Sequence, residues 1–316
     1  MLQNLKFREE REIVDDYQKI RNKKLKIKIV KIIKVMKNDI YVPDMVKTFQ
    51  LPESSLSKHC LEVIADVLGA EKKSFNDDYD ITILDNIVIE KYKEVLESFS
   101  KENSNGFKTS FSVSDVSLNF GWGDNVLGTG YGINGAKTYE QKENDRCVML
   151  NVEHLYVSLM IKYGFLSRCV SNSEIFEEIY KKKTDFDKNS VKYDPITVSH
   201  RVVVNGTYGA MSINKDNPLY DMRQVNNICV NGQLFMLDLI EKLENSGELL
   251  HANTDRLIYK VNDYSTFQNE CQKWSERTKL NLEVEEISNF KQKGLFHYEF
   301  EKSDGNKVSR GVFGEK

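Results

Sequence analysis

Two periods of hydrophobic and polar residues occur along the chain, and the change between them falls near residue 105. Before that point apolar residues recur partly at helical spacing, which predicts helices over 19–37, 58–68 and 87–99. The many basic residues of 19–37 fit either a phosphate-binding face or a solvated helix face. From Phe111 to Phe120 apolar and polar residues alternate with a slip in the middle, which is typical of a strand. We therefore expect a mainly helical region over 1–105, with a domain boundary at its end.

After this boundary the pattern predicts elements in the order β-α-α-β-β, which indicates an α+β fold with antiparallel strand pairing. A short polar turn, Asn253-Thr254-Asp255-Arg256, joins two of the strands. The predicted elements are a buried strand over 147–152, helices over 155–163, 172–183, 200–212, 221–243 and 264–277, and strands over 248–252, 257–261, 280–284 and 295–300.

Length, charge and composition narrow the class of protein. The 316 residues have room for two domains of about 150 residues each. The formal net charge of −3 excludes a uniformly basic nucleic-acid-binding protein but leaves room for a local basic groove. No run of 18 apolar residues occurs, and the five cysteines and five histidines show neither C-x-x-C nor H-x-x-x-H spacing. We therefore expect a cytoplasmic protein that spans no membrane and carries no zinc site.

A glycine-rich loop follows the alternating segment, with six glycines within fifteen residues. Its end, Gly130-Tyr131-Gly132-Ile133-Asn134-Gly135, satisfies the G-x-G-x-x-G pattern of dinucleotide sites. A dinucleotide site also needs a helix after the third glycine that packs on the sheet. Residues 136–145 are polar, with almost no apolar stripe, so the dinucleotide interpretation is disfavoured.

One predicted helix carries three different polar groups on a single face. Arg201, Asn205 and Tyr208 stand at positions i, i+4 and i+7, so a cation, an amide and an aromatic ring share that face. Such a surface suits a triphosphate, a minor-groove edge and a base plane. Gly206 and Gly209 weaken the helix by about 1 kcal/mol each, which close approach of the backbone to a ligand would explain.

The tip of the predicted hairpin presents the carboxylate of Asp255. A carboxylate on a rigid turn between two strands suits a hard divalent cation. The same residues also fit ordinary Asx-turn chemistry, and the turn alone favours that alternative.

Several motifs in one order resemble those of a known family. They are Arg201 through Asn-Gly-Thr-Tyr-Gly, Pro218-Leu-Tyr-Asp, Cys229-Val-Asn-Gly-Gln, Asp238-Leu-Ile-Glu-Lys-Leu-Glu and Ala252-Asn-Thr-Asp. Together they look like the fingers and palm of a family B DNA polymerase of the bacteriophage type. Leu155 to Gly164 is similar to the first palm motif of that family and the helix after it, and Gly135-Ala136-Lys137 to the glycine-rich element before it. The resemblance covers about 110–300.

The resemblance implies nucleotidyl transfer by two Mg²⁺ ions, with primer–template DNA and deoxynucleoside triphosphates as partners. It also implies a role for each matching position. Asp255 would be the hairpin ligand of the metals, Tyr156 would pack under the incoming sugar, Arg201 would hold the triphosphate, Asn205 and Tyr208 would line the nascent base pair, Lys293 would reach the primer terminus, and Gly132 and Gly135 would lie in the DNA-binding loop.

The departures from the family pattern concern the metal site. Asn151 stands where the first palm motif has its catalytic aspartate, and an asparagine offers Mg²⁺ no negative charge. Arg256 follows Asp255 where a small residue is usual, so a cation lies beside the expected metal. Glu153, two residues after Asn151 on the same face of a continued strand, is a candidate replacement ligand about 7 Å along the strand.

The expected domain ranges follow from the resemblance. Residues 106–300 would be palm and fingers, 1–105 a remnant of the connection to a missing exonuclease domain, and 301–316 a tail too short for a thumb. One interpretation is a phage or prophage polymerase fragment in a bacterial cytoplasm, inactive or impaired as a lone chain. Such a fragment either works with a separately encoded remainder or is a degraded gene product. The alternative is a non-catalytic DNA-binding module that keeps the polymerase fold.

Overall fold

Seven α-helices and a ten-stranded antiparallel sheet make up the part of the chain that the structure, a computed structural model, describes. That part comprises residues 58–100, 107–122, 132–189, 195–213 and 215–314. The predicted α+β class is confirmed. The predicted helix over 19–37 lies outside the described residues.

The elements follow the predicted order with few exceptions. The helices are α1 (Lys58–Val67), α2 (Lys93–Ser100), α3 (Leu155–Lys162), α4 (Glu174–Asn189), α5 (Pro195–Ile213), α6 (Met222–Leu243) and α7 (Tyr264–Thr278). The strands are β1 (Phe107–Val113), β2 (Val116–Trp122), β3 (Asn134–Ala136), β4 (Tyr139–Glu140), β5 (Arg146–Val152), β6 (Gly247–Asn253), β7 (Arg256–Val261), β8 (Leu282–Gly294), β9 (His297–Lys302) and β10 (Lys307–Arg310). None of the described helices combines the length and the apolar composition needed to cross a lipid bilayer.

By its contacts the chain divides into two compact units. The first contains the described residues up to Asp78 together with those of Gly164–Val225, and the second contains those of Tyr79–Tyr163 and Asn226–Lys316. This division follows packing rather than the change of sequence pattern near residue 105, and the domain ranges expected from the sequence stay predictions.

The whole sheet lies in the second unit, in the order β1-β2-β3-β6-β7-β5-β8-β9-β10, with β4 paired to β8. Alternate residues of the central strands enter a core with residues of β8 and β9. The buried members of this core are Cys147, Met149, Leu250, Ile258, Ile287, Phe290, Tyr298 and Phe300. At Asn289, where φ is 55°, the register between β8 and β9 shifts. Strand β8 pairs with β5 before this point, with β4 after it and with β9 on both sides of it. On β7, Tyr259 contacts Phe267 of α7, with ring centroids 5.4 Å apart.

The slip in the alternating segment is a turn. One strand was expected from Phe111 to Phe120, but β1 and β2 form a hairpin in which Val113 pairs with Val116. Ser114 and Asp115 between them have φ values of 51° and 64°, the left-handed conformation that two-residue hairpin turns require. The prediction of a single strand is therefore wrong, because the break in period marks a change of strand direction.

An extended segment, 79–92, lies along α6 and takes its hydrogen-bond acceptors from that helix. Asn227 accepts from the Thr82 amide at 2.8 Å, and Asn231 accepts from the Leu84 amide at 2.9 Å. Glu241 accepts from three successive amides, those of residues 90–92. The helix predicted over 87–99 is therefore wrong in its first half, because these amides bond to a side chain of α6 instead of to backbone carbonyls of their own segment.

The first unit contains a compact charge cluster. Arg168 donates to Asp77 at 2.6 Å and to Asp221 at 2.7 Å, and Arg223 donates to Asp77 at 2.8 Å. The Arg168 hydrogen bond and, to a smaller extent, Arg223 lower the pKa of Asp77 to about 2. The Asp221 side chain is fully buried, so Arg168 supplies the counter-charge that its burial requires.

Four of the cysteines, Cys147, Cys169, Cys229 and Cys271, are free and buried. Burial raises the pKa of the Cys147 thiol to about 11 and that of the Cys271 thiol to about 12. Both thiols are therefore protonated at neutral pH.

Replacing Gly135 by alanine is expected to destabilise the sheet. Gly135 pairs with Ala252, and a Cβ on it would lie 2.4 Å from the carbonyl oxygen of Ser117 on β2. Because that oxygen belongs to the backbone of a paired strand, we expect a loss of about 1–3 kcal/mol in the free energy of unfolding, measured by urea denaturation. Gly294→Ala is the matched control, since a Cβ there meets no heavy atom within 4 Å. Equal stability of the two variants would contradict the packing role of Gly135.

Candidate functional site

The end of β5, the β6–β7 turn and the start of β8 meet at one end of the central strands. Asn151 of β5 pairs in register with Arg256 on one side and with Glu283 on the other. The amide of Val152 donates to the carbonyl oxygen of Asp255 at 2.8 Å, which ties β5 to the turn. The structure thus brings together Asn151 and Asp255, the two residues that the sequence predicts at one site.

The β6–β7 turn is held by the glycine-rich segment. Thr254, at the tip, has a φ of 56°, and its amide donates to the Ile133 carbonyl at 2.8 Å. A Cβ on Gly132 would lie 2.6 Å from Oγ1 of Thr254, so only glycine fits beneath the turn. Support of the turn accounts for Gly132, and pairing within the sheet accounts for Gly135; the DNA contact expected of both stays a prediction.

Asp255 is half-buried at the tip. Burial raises the pKa of its carboxyl group, and the positive charge of the neighbouring Arg256 opposes part of that rise. The neutral form of this carboxyl is therefore favoured relative to an exposed aspartate.

Asn151 makes its side-chain hydrogen bond across the sheet. Its Nδ2 donates to Oε2 of Glu283 at 2.8 Å. Glu283 is exposed on β8 and belongs to none of the motifs quoted from the sequence. It lies in a predicted strand, but its place beside Asn151 depends on the β5–β8 register, which local pattern does not encode.

Glu153, the candidate replacement ligand, does not lie on the strand face where the sequence pattern predicts it. Strand β5 ends at Val152, so Glu153 lies in the turn before α3 and does not continue the face of Asn151. Asn281 donates to its Oε2 at 3.2 Å, and its own amide donates to the Asn281 carbonyl at 2.9 Å. The expected placement two residues along the same strand face is therefore wrong.

Tyr156, the residue expected under the sugar, is half-buried on α3. A Cβ on Gly232 of α6 would lie 3.6 Å from Cε1 of Tyr156, so the ring packs across that glycine. This contact places the ring against α6. Its role toward a nucleotide stays a prediction.

The predicted nucleotide-binding helix is present as α5, within which Asn205 is half-buried and Tyr208 is buried. The helix contains Gly206 and Gly209 and packs against α1 and α4. These residues and Arg201 belong to the first unit, whereas Asn151, Tyr156 and Asp255 belong to the second. The nucleotide contacts expected of Arg201, Asn205 and Tyr208 stay predictions.

Lys293, expected at the primer terminus, is exposed on the second half of β8. Its Nζ lies 5.6 Å from the centroid of the Phe313 ring. The neighbouring residue Gln292 is buried and hydrogen-bonds to His251 at 2.7 Å. Lys293 is thus a cation on an anchored strand, and its contact with a primer stays a prediction.

The donor set at the end of β5 does not fit a pair of divalent cations. In the part of the chain that the structure describes, no three His, Cys, Asp or Glu residues form a group that could hold a metal ion. Asn151 directs its N–H toward Glu283, and Arg256 places a cation next to Asp255. Two Mg²⁺ ions need several anionic oxygens, and these residues offer the Asp255 carboxylate beside a guanidinium group and the Glu283 carboxylate, which already accepts from Asn151.

A pocket of about 400 Å³ opens next to the turn, within the second unit. Its walls are the β6–β7 turn on one side and the ends of β9 and β10 on the other. The lining residues are Asn253, Thr254, Asp255, Arg256, Phe296, Tyr298, Arg310 and Gly311. Nε of Arg256 is buried, and no described residue forms a hydrogen bond with it.

Two comparisons of the sequence with known proteins found no match: no protein-family model matches the chain, and no curated protein matches it. Among solved structures, the chain is similar to the family B DNA polymerase from the hyperthermophilic archaeon Pyrobaculum calidifontis, with a TM-score of 0.38 and 15% sequence identity. The match covers 56% of this chain and 28% of that polymerase, so the chain spans less than a third of its length.

Proposed function

We propose that this chain binds primer–template DNA through a phage-type polymerase palm that has lost nucleotidyl transfer. The observation that carries the proposal is the register of β5 and β7, which puts Asn151 beside Arg256 next to Asp255. An uncharged amide and a guanidinium group thus occupy the positions where the motif resemblance implies an aspartate and a small residue.

The charges at the turn support the loss of metal-dependent nucleotidyl transfer. Near a protein surface, two unit charges about 4 Å apart interact by about 4 kcal/mol at an effective dielectric constant of about 20. Losing one carboxylate and gaining one guanidinium group therefore removes a large part of the attraction for a divalent cation. The order and spacing of the other motifs support retention of the DNA-binding and nucleotide-binding surfaces.

The finer parts of the proposal follow from the same motifs. Lys293 contacts the primer strand, Tyr156 lies under a nucleotide sugar, and Arg201, Asn205 and Tyr208 contact the nucleotide. A separately encoded remainder of a phage or prophage polymerase in a bacterial cytoplasm is the partner that this function implies.

The test measures binding and synthesis on the same primer–template. We expect fluorescence anisotropy to show binding that weakens by at least about 100-fold between about 50 and 200 mM salt, as four or more phosphate contacts require. We expect no primer extension with Mg²⁺ or Mn²⁺ and all four deoxynucleotides. Extension by the unaltered chain would refute the loss of catalysis, and absence of binding at low salt would refute the DNA-binding function.

Lys293→Gln tests the expected primer contact. Removal of one phosphate contact is expected to reduce the slope of log affinity against log salt concentration by about 1. Lys307→Gln is the matched control, because Lys307 is exposed on β10 and already pairs with Glu299 at 2.8 Å. Equal slopes for the two variants would exclude Lys293 from the DNA-binding surface.

A second candidate function is nucleotidyl transfer with a different acid. Its support is Glu283, whose carboxylate lies 2.8 Å from the Asn151 amide and could take the place of the missing aspartate. If the unaltered chain extends a primer, Glu283→Gln should abolish extension, whereas Glu285→Gln, two residues along β8, should leave it intact.

A further inference from the structure

The pocket beside the β6–β7 turn has the size of a small-molecule site. Its volume of about 400 Å³ lies within the range of about 300–1,000 Å³ typical of ligand pockets. One wall, Asn253–Arg256, belongs to the expected metal site, whereas Phe296 and Arg310 belong to segments that none of the predicted motifs includes.

Two guanidinium groups line this pocket. Arg256 lines the pocket, and its buried Nε has no hydrogen-bond partner among the described residues. Arg310, exposed at the end of β10, makes no ion pair with the described residues. Guanidinium groups form paired hydrogen bonds with phosphate oxygens, so both arginines suit a phosphate.

Aromatic side chains form the outer wall. Phe296 is 68% exposed, which is unusual for a phenylalanine, and Tyr298 lies beside it on β9. An exposed ring at the mouth of a basic pocket offers a face on which a nucleobase can stack. With Asp255 included, the lining carries two positive charges and one negative charge. The Asp255 carboxylate also supplies an acceptor for a sugar hydroxyl or a base N–H.

We propose that this pocket binds a nucleoside phosphate without a metal, with the phosphate between Arg256 and Arg310 and the base on Phe296. The proposal rests on the loss of metal chemistry at the turn, which is part of the proposed function, but it does not depend on primer–template binding. The ligand is either a free mononucleotide or the phosphorylated end of a strand, because both present the same phosphate and base.

The test titrates the full chain in EDTA with deoxyadenosine 5′-monophosphate, deoxyadenosine and inorganic phosphate, followed by calorimetry or ligand-observed NMR. We expect the monophosphate to bind without divalent metal and deoxyadenosine to bind at least about 10-fold more weakly. Arg310→Gln should weaken monophosphate binding by about 10-fold, since it removes a charge-assisted contact. Because Arg310 is exposed, this variant should fold.

Phe296→Ala separates the base from the phosphate. This variant should bind the monophosphate about 10-fold more weakly and should bind inorganic phosphate with unchanged affinity. Lys307→Gln removes a cation from β10, the strand that carries Arg310, but Lys307 does not line the pocket. This variant should change neither the monophosphate affinity nor the phosphate affinity. A 5′-phosphorylated oligonucleotide that competes better than the free monophosphate would identify a strand end as the ligand, and weaker competition would identify the free nucleotide.

Equal monophosphate affinity of the unaltered chain and Arg310→Gln would overturn the proposal, as would binding that appears only with Mg²⁺. Primer–template binding is measured on the same samples. If it persists while monophosphate binding is absent, the pocket proposal fails and the DNA-binding function stands.

Discussion

Replacing Arg277 by methionine is expected to lower the free energy of unfolding by about 3–5 kcal/mol. Arg277, near the end of α7, donates to both carboxylate oxygens of Asp238 on α6, at 2.7 and 2.8 Å. The Asp238 side chain is fully buried, and its Oδ2 also accepts from the Val88 amide at 3.1 Å. Methionine keeps most of the apolar stem but leaves a buried negative charge without its counter-ion, and that uncompensated charge accounts for the large effect.

Urea denaturation of the unaltered chain and of Arg277→Met measures this loss in the free energy of unfolding. Two further variants test whether the buried ion pair is its cause. Lys273→Met removes a cation from the same helix, but Lys273 is exposed and pairs with Glu270 on the surface, so a change below about 1 kcal/mol is expected. Adding Asp238→Asn to Arg277→Met should recover part of the loss, because a neutral amide is less unfavourable when buried. Equal stability of the Arg277 and Lys273 variants would contradict the role of the buried pair.

Converting the Asn151–Arg256 pair to aspartate and serine is expected to create a divalent-cation site. The double variant Asn151→Asp, Arg256→Ser adds a carboxylate next to the turn and removes the guanidinium group beside Asp255. At a Mg²⁺ concentration of about 100 times the dissociation constant, binding stabilises the folded state by about 2.7 kcal/mol. For a chain of 316 residues, with an unfolding entropy of about 2.1 cal/mol/K per residue, that corresponds to a rise in Tm of about 4 °C.

Thermal unfolding with and without Mg²⁺ measures this change. The unaltered chain should show almost no Mg²⁺-dependent rise in Tm, and each single variant should show a smaller rise than the double variant. Adding Asp255→Asn to the double variant should remove the effect, because the new site then loses its hairpin carboxylate. A rise in the unaltered chain equal to that of the double variant would instead favour Glu283 as a native ligand.

The long periodic elements were predictable because their pattern is strong and local. The apolar stripe over 221–243 predicted α6 to within one residue, and the apolar run over 147–152 predicted β5 equally well. Strand β10 was missed because Lys307–Arg310 is short and largely polar, and its pairing with β9 depends on tertiary structure. The first half of the helix over 87–99 was wrong because its amides bond to side chains of α6.

The candidate site was predictable only in part. Motif order predicts one site for Asn151 and Asp255. The β5–β7 register brings the two residues together, and their shared role stays a prediction. Glu283 was missed because its partner lies 132 residues away and local sequence carries no information on register. Phe296 and Arg310 join the pocket through the β8–β9 and β9–β10 pairings, which likewise depend on distant parts of the chain.

The buried cysteines have a practical consequence for following the motions of this protein. Alkylating reagents react with thiolates, and at neutral pH the buried Cys147 and Cys271 thiols stay protonated and covered. Each thiol can therefore be modified only after its surroundings open and admit water. The rate of maleimide labelling at Cys147 thus reports how often the central strands separate, and the rate at Cys271 reports the same for α7, without any engineered probe.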